Sequence, residues 1–299
     1  MKYSVFRISS QSSSSNIDAI KLERSVVNSF LRLYGSDEIF QLASANKFLF
    51  SDAFVRNFGD YGTEDVLVGT NITLVDSKEK RKEFLMKRKK GKFLPFKSLN
   101  LFLEMYKESG YGPIKLNDEN IEKFQNLFSD VERGNKPILE LRPGIDIANS
   151  DFFIKDLFSQ SEHYFAVGYD DNRLISSLYS LEDFGLSSRR SVGIGQVKIS
   201  KECDIESEYE GEGLYLNLSP FIPTDDDIGK IDFEKSMYSF EIIGGRTREG
   251  IPFEIFKYIR PGSILYLKER PKGLFVHNEK NDYMFKFSGF FIRQFRVTR

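Results

Sequence analysis

Phe184-Gly185-Leu186-Ser187-Ser188-Arg189-Arg190-Ser191-Val192-Gly193-Ile194-Gly195 joins a helical stretch to a strand-like one. Upstream, Tyr164–Tyr169 reads as a strand, and Leu174, Ile175, Leu178 and Leu181 line one side of a helix that starts at Asp170; downstream, Val192–Ser200 returns to strand. Three glycines let the backbone come close to a bulky ligand. Successive backbone N–H groups in such a turn form an anion-binding concavity, and the forks of Arg189 and Arg190 suit phosphate oxygens. The pattern is not a Walker loop, which requires Gly-Lys-Ser/Thr before a helix. As a bare pattern, an ordinary tight connection is the competing reading.

Working outward, Tyr3–Ile8 alternates as a first strand and runs into the polar stretch Ser9–Asn16. From Asp18, a candidate N-cap, Ile20, Val27, Phe30, Leu31 and Tyr34 recur at helical spacing until Gly35 stops the run. Phe48–Phe54 is strand-like, and Asp118–Phe128 is a short amphipathic piece. Gly134, Pro137, Pro143 and Gly144 interrupt Arg133–Asn149, which predicts a projecting extended excursion. The acidic stretch Lys201–Gly213 marks a boundary, after which Leu214–Leu218, Tyr238–Ile243, Ser263–Leu267, Gly273–Val276 and Tyr283–Phe287 read as strands. The pattern is α+β with a strand-rich second half.

Composition narrows the chemistry. Twenty-nine Phe and 14 Tyr without Trp favour sheet, because flat half-buried rings pack well on pleated surfaces. With 43 Lys and Arg against 44 Asp and Glu, bulk charge does not draw the chain to nucleic acid, so any RNA site is local. The single Cys203, with only His163 and His277 beside it, makes neither an internal disulfide nor a zinc set, which predicts a reducing compartment and no cofactor or metal. Asp225, Asp226 and Asp227, adjacent after Pro223, read as a solvent-facing loop. No signal-peptide or membrane-spanning run is seen, so the expected location is cytoplasmic, with no membrane partner.

Local charge concentrates at Lys78–Lys92, where nine Lys and Arg stand against Glu79 and Glu83. Two readings are open: a solvated face, or a surface that follows phosphates through Lys87, Arg88, Lys89 and Lys90. The aromatic segment Phe93–Phe102 follows directly, a neighbourhood of the kind used to stack single-stranded bases.

The glycine-rich loop resembles that of the repeat-associated mysterious protein (RAMP) superfamily of CRISPR systems, where it follows the second helix of a ferredoxin-like domain. More narrowly, the chain resembles the fourth subunits of type III-A Csm complexes: Gly185, Arg190, Ser191, Gly193 and Gly195 match their loop, with Ser187 and Ser188 where glycines are common and Arg189 in place of lysine. Phe48-Leu49-Phe50-Ser51-Asp52-Ala53-Phe54 is similar to their Ser/Thr-Asp-Ala-Phe-Pro strand end, with Val55 replacing proline. Arg142, Ile145, Asp146 and Asn149 echo an Arg-x-x-Ile-Asp-Arg-x-Thr stretch in which Ile147 replaces the second arginine. Ser12, Ser13, Ser14 and Ser15 occupy the place of a Gly/Ser-rich loop, and Arg24 stands where Asp is common.

The resemblance implies two ferredoxin-like RAMP domains, residues 1–204 with the inserted basic segment and a protruding hairpin, and residues 205–299. It implies an antiviral CRISPR subunit without catalytic residues that anchors the repeat-derived five-prime tag of the guide crRNA, docks the large palm-domain subunit and a backbone RAMP subunit, and meets target RNA indirectly. The implied RNA contacts are Gly185, Ser188, Arg189, Arg190, Ser191, Gly193, Gly195, Ser12, Ser13, Ser14, Arg24, Lys87, Arg88, Lys89, Lys90 and Arg142. The alternative is the guide-processing endoribonuclease of the same superfamily, which commonly uses a histidine near the first helix; here none precedes His163.

Overall fold

The computed structural model describes residues 1–10, 17–52, 62–64, 72–74, 93–112, 114–116, 136–140, 156–186, 196–206, 211–246, 252–278, 283–293 and 296–298. The first half runs β1 (Lys2–Ser10), α1 (Ala19–Tyr34), α2 (Glu38–Ser44), β2 (Phe48–Phe50), β3 (Gly62–Glu64), β4 (Ile72–Leu74), β5 (Phe93–Pro95), α3 (Phe96–Glu108), β6 (Ile114–Leu116), β7 (Lys136–Glu140), β8 (Asp156–Tyr169), α4 (Asn172–Tyr179), α5 (Leu181–Phe184) and β9 (Val197–Glu206). The second half runs β10 (Gly213–Asn217), α6 (Asp225–Ile228), β11 (Ile231–Met237), β12 (Phe240–Arg246), β13 (Pro252–Ile259), β14 (Ile264–Leu267), β15 (Leu274–Asn278), β16 (Tyr283–Phe287), β17 (Phe291–Ile292) and β18 (Arg296–Thr298).

Local signals set the ends of α1. The Asp18 carboxylate accepts from the Lys21 N–H at 2.7 Å, and Gly35, left-handed at φ +59°, returns its N–H to the Leu31 carbonyl. Between these ends Leu22, Val26, Val27 and Phe30 face inward at helical spacing.

The main sheet has strand order β18-β9-β1-β8-β2, every neighbour antiparallel. Alternation along its strands divides two cores. Phe6 and Ile8 of β1, Phe165 and Val167 of β8, and Phe48 and Phe50 of β2 meet α1 and α4 on one face. Tyr3 and Val5, Tyr164 and Ala166, and Leu49 face the other way, against Leu214 and Leu216 of β10, Ile264 of β14 and Phe102 of α3. That second face is roofed by a four-stranded sheet of order β11-β14-β10-β17. The two halves also share a sheet, because β9 continues to Glu206 and β18, at the far end of the described chain, pairs with it.

β8 outruns its neighbour. Ser161 pairs with Ser10, the last residue of β1, and the five residues before it, Asp156–Gln160, pair instead with β7. Two further ribbons, β12-β13 and β15-β16, close on the start of α1, where Ile20 packs with Phe256, Tyr258, Phe285 and Phe287.

One sequence expectation is corrected here. Asp225 and Asp226 face solvent as expected, but the three aspartates open the short helix α6 instead of a loop, and Asp227 is fully buried. Its carboxylate accepts from the Thr224 N–H and hydroxyl, from the backbone N–H groups of Lys272 and Gly273 at 2.9 and 2.8 Å, and from the Lys230 ammonium at 3.0 Å. Burial acts to raise its pKa, but these donors prevail and hold it at about 2. A carboxylate saturated in this way ties α6 to the turn before β15.

Candidate nucleic-acid interface

The register of the main sheet brings described flanks of three sequence-predicted RNA segments to one end. Ser10, which precedes residues 11–16, pairs with Val197 of β9 and with Ser161 of β8. Val197 closely follows residues 187–195, which carry Ser188, Arg189, Arg190, Ser191, Gly193 and Gly195, and Ser161 adjoins the β7/β8 pairing that brackets Arg142. Ser12, Ser13, Ser14, the glycine-loop residues from Ser188 to Gly195, Arg142, and Lys87, Arg88, Lys89 and Lys90 all lie outside the described residues. Their described flanks carry the geometry.

Those flanks are firmly held. Gly185 ends α5 at φ +71°, with its N–H on the Leu181 carbonyl at 2.7 Å. One turn earlier the Glu182 carboxylate accepts the Ile199 N–H at 2.6 Å, so the helix before the loop is fastened to the strand after it. Helix α5 is also braced on α1, through the Arg32 guanidinium 5.3 Å from the Phe184 ring and a Ser29–Ser180 hydroxyl contact. A loop mounted on such a frame can present cations and backbone N–H groups to a chain of phosphates with little ordering cost at its base.

Other predicted residues fall elsewhere. Arg24 is exposed on α1, with its guanidinium 5.4 Å from the centroid of Phe285 on β16. His163, adjoining the expected strand Tyr164–Tyr169, lies within β8; it is buried, and burial lowers its pKa. His277, in β15, stacks on Phe40 with ring centroids 3.8 Å apart. The sheet face that carries Tyr3 and Tyr164 is covered by the second sheet, so bases cannot stack there and any RNA contact falls to the edges and loops.

The Ser-Asp-Ala-Phe segment turns out to be a junction in its described part. Ser51 is fully buried and its hydroxyl accepts the Ala166 N–H at 2.7 Å, extending the β2/β8 pairing by one residue. Asp52 accepts the Ala19 N–H at the start of α1 at 2.8 Å and donates its own N–H to Leu218 of the second half. Burial, seconded by Asp18 and Glu241, lifts its carboxyl to about 7 against the pull of Ala19 and Arg260. On α1, Glu23 is buried and raised to about 7, chiefly by desolvation, while Lys286 on β16 donates its ammonium to the Phe48 carbonyl at 2.7 Å. Sequence periodicity marked none of these three as partners, because the partners lie on separate elements.

The sequence matches no family profile and no curated protein. Solved structures do match along the full length. A chain in a crystal structure of the Csm3–Csm4 subcomplex of the type III-A CRISPR-Cas interference complex overlays with TM-score 0.56 at 18% identity, covering 98% of this chain and 99% of that one. The chain has the fold of a Csm-complex subunit. Chains in the Csm1–Csm4 cassette agree: the complex with AMPPNP matches with TM-score 0.56 at 13% identity over 100% of both chains, and the complex with one ATP with TM-score 0.57 at 13% over 98% and 99%. Among the described residues of this Csm-like fold, no helix is long and apolar enough to cross a membrane.

Proposed function

We propose that this chain is a type III-A CRISPR effector subunit of the Csm4 kind, a non-catalytic scaffold that holds the five-prime tag of the guide RNA. The observation that carries this reading is the convergence at Ser10, Val197 and Ser161: the flanks of the serine-rich segment, the glycine-rich segment and the β7/β8 ribbon meet at one end of one sheet. Arg189 and Arg190 then supply charge-assisted bonds to phosphates, and the loop N–H groups supply a concavity for the same oxygens. Binding of a single strand by backbone contacts and splayed bases requires no nucleophile or metal.

The path β1-α1-β2 then β8-α4-β9, with strand order β9-β1-β8-β2, supports a ferredoxin-like first domain, and the β7/β8 pairing supports a protruding hairpin rooted in it. In the overlaid complexes the neighbours are Csm1 and Csm3. We assign this chain the same two protein partners, a large palm-domain subunit and a backbone RAMP subunit, with target RNA reached only through the guide.

The test is co-purification of the assembled complex followed by sequencing of its RNA, in the parent and in an Arg189→Glu/Arg190→Glu variant. The parent retains guides with a uniform five-prime tag. The charge reversal weakens guide binding by more than the roughly 1 kcal/mol of an exposed ion pair, and guide occupancy falls with it. Full retention with an intact tag in the variant rules the loop out as the anchor.

A further inference from the structure

A cleft of about 400 Å³ opens between α3 and the second sheet. Its floor is apolar, from Leu103 of α3 and Leu214 of β10, both buried. One wall is aromatic: Tyr111 and Tyr266 meet edge to face with centroids 5.8 Å apart. Lys235, which is not part of the lining, stands 4.6 Å from the centroid of Tyr266 and 5.8 Å from that of Tyr111, steadying both rings while its own charge is paired with Asp232 at 3.1 Å.

The charged groups of the cleft are less settled. Arg293 is half-buried, and its guanidinium lies against the backbone of Gly213, where a Cβ would stand 3.2 Å from the guanidinium carbon. Any side chain at position 213 would push the guanidinium aside. Among the described residues, neither Arg293 nor Lys107 across the cleft has a carboxylate within ion-pairing distance. Glu104 is likewise unpaired among them, and Glu212 uses one oxygen to accept from the Tyr266 hydroxyl at 2.9 Å. A half-buried guanidinium without a counter-ion favours an anion, whereas the free carboxylate oxygens favour N–H donors.

We propose that this cleft is a nucleotide-binding site. A nucleotide carries on one small body the three groups the cleft answers: a planar ring for the tyrosine wall and leucine floor, a phosphate for Arg293 and Lys107, and, in adenine, guanine and cytosine, an exocyclic amine for Glu212 or Glu104. An acidic peptide would satisfy the cations but set its carboxylates against Glu104 and Glu212, and a basic peptide would meet Arg293 and Lys107. The ligand can be a free mononucleotide or one nucleotide of a single strand, since both present the same chemistry.

The inference stands apart from the guide-binding reading, and one experiment separates them. The full chain is titrated calorimetrically with AMP, CMP, GMP, UMP, adenosine and a short adenosine oligonucleotide, as parent and as Arg293→Gln, Lys107→Gln and Arg189→Glu/Arg190→Glu variants. Lys107 is exposed at the end of α3, so its replacement leaves the core intact. AMP binds the parent; Arg293→Gln weakens it by about tenfold, the worth of one charge-assisted bond, Lys107→Gln weakens it to a smaller degree, and the loop variant leaves it unchanged. Adenosine binds weakly and is indifferent to Arg293→Gln, and UMP, with no exocyclic amine, binds less tightly than the other three. An oligonucleotide that outcompetes AMP identifies a single strand as the source; equal affinity identifies free nucleotide. Absence of nucleotide binding, binding untouched by both cleft variants, or capture of a poly-glutamate peptide in place of AMP overturns the proposal, whatever the fate of the guide in the assembled complex.

Discussion

Replacing Asp227 by Asn removes one acceptor oxygen from a carboxylate that serves both ends of a long-range connection. One oxygen accepts from Lys272 N–H and the Lys230 ammonium; the other accepts from Gly273 N–H and from the Thr224 N–H and hydroxyl. An amide in the same place turns a donor toward one of these donor sets, leaving at least one buried N–H unpaired, at a cost of about 1–3 kcal/mol. Linkage gives a second, independent magnitude. The carboxyl lies at about 2 in the folded chain against an ordinary 3.8, a difference worth about 2.5 kcal/mol of stability. Because the folded value is the lower one, that stability is fully present well above pH 3.8 and is lost as pH falls through about 2, with about half gone by pH 3. Urea unfolding of parent and Asp227→Asn should therefore differ by about 2–3 kcal/mol at pH 7 and by about half as much at pH 3. A variant as stable as the parent at pH 7, or a difference that does not shrink toward pH 3, refutes the assignment of Asp227 as the tie between α6 and β15.

Glu23 has the opposite sign: its folded value of about 7 lies above the ordinary 4.5, so the parent loses stability as pH rises between those values. Glu23→Gln removes that dependence and gains up to about 3 kcal/mol relative to the parent at pH 8, and parallel Tm-against-pH curves would contradict it. Phe30→Ala, in the fully buried centre of α1, costs about 3–5 kcal/mol by denaturation, whereas Leu33→Ala, 46% exposed on the same helix, stays within about 0.5 kcal/mol. Neutralising Lys87, Arg88, Lys89 and Lys90 flattens the salt dependence of guide binding by about 0.7 in log-log slope for each phosphate no longer neutralised, and an unchanged slope assigns the run to a solvated face. The purified chain leaves labelled guide precursor and target RNA intact with or without divalent metal; specific cuts that vanish on replacing His163 or His277 establish the processing-enzyme alternative instead.

Helix α1 shows how far a sequence can be read. Its cap, its stop and its inward face are exchanges between residues two to four apart, so Asp18, Gly35 and the spacing of Val27 and Phe30 announce them directly. Strands β10, β12, β14, β15 and β16 were legible for the same reason, since alternation is a property of neighbours, whereas β11 and β13 were not read. Asp227 was not. Three consecutive aspartates after a proline look alike on paper, and only one of them meets the N–H groups of residues 272 and 273. Arg293 escaped notice because its meaning depends on Gly213, 80 residues earlier, lying beneath it.

By itself, then, the sequence determined the class of the fold, the ends of the first helix, and a glycine-rich, doubly basic link between a helix and a strand. Its near-zero net charge also confined any RNA contact to local sites. Tertiary structure alone decided that Ser10, Val197 and Ser161 meet at one end of the sheet, that the second sheet roofs the face carrying Tyr3 and Tyr164, and that Asp52 caps a helix begun 33 residues before it. The physical reason is one of range. Capping, periodicity and turn chemistry act between residues a few positions apart, whereas strand register, burial of a sheet face and the pairing of a buried carboxyl are settled only when segments far apart in the chain compete for the same partners.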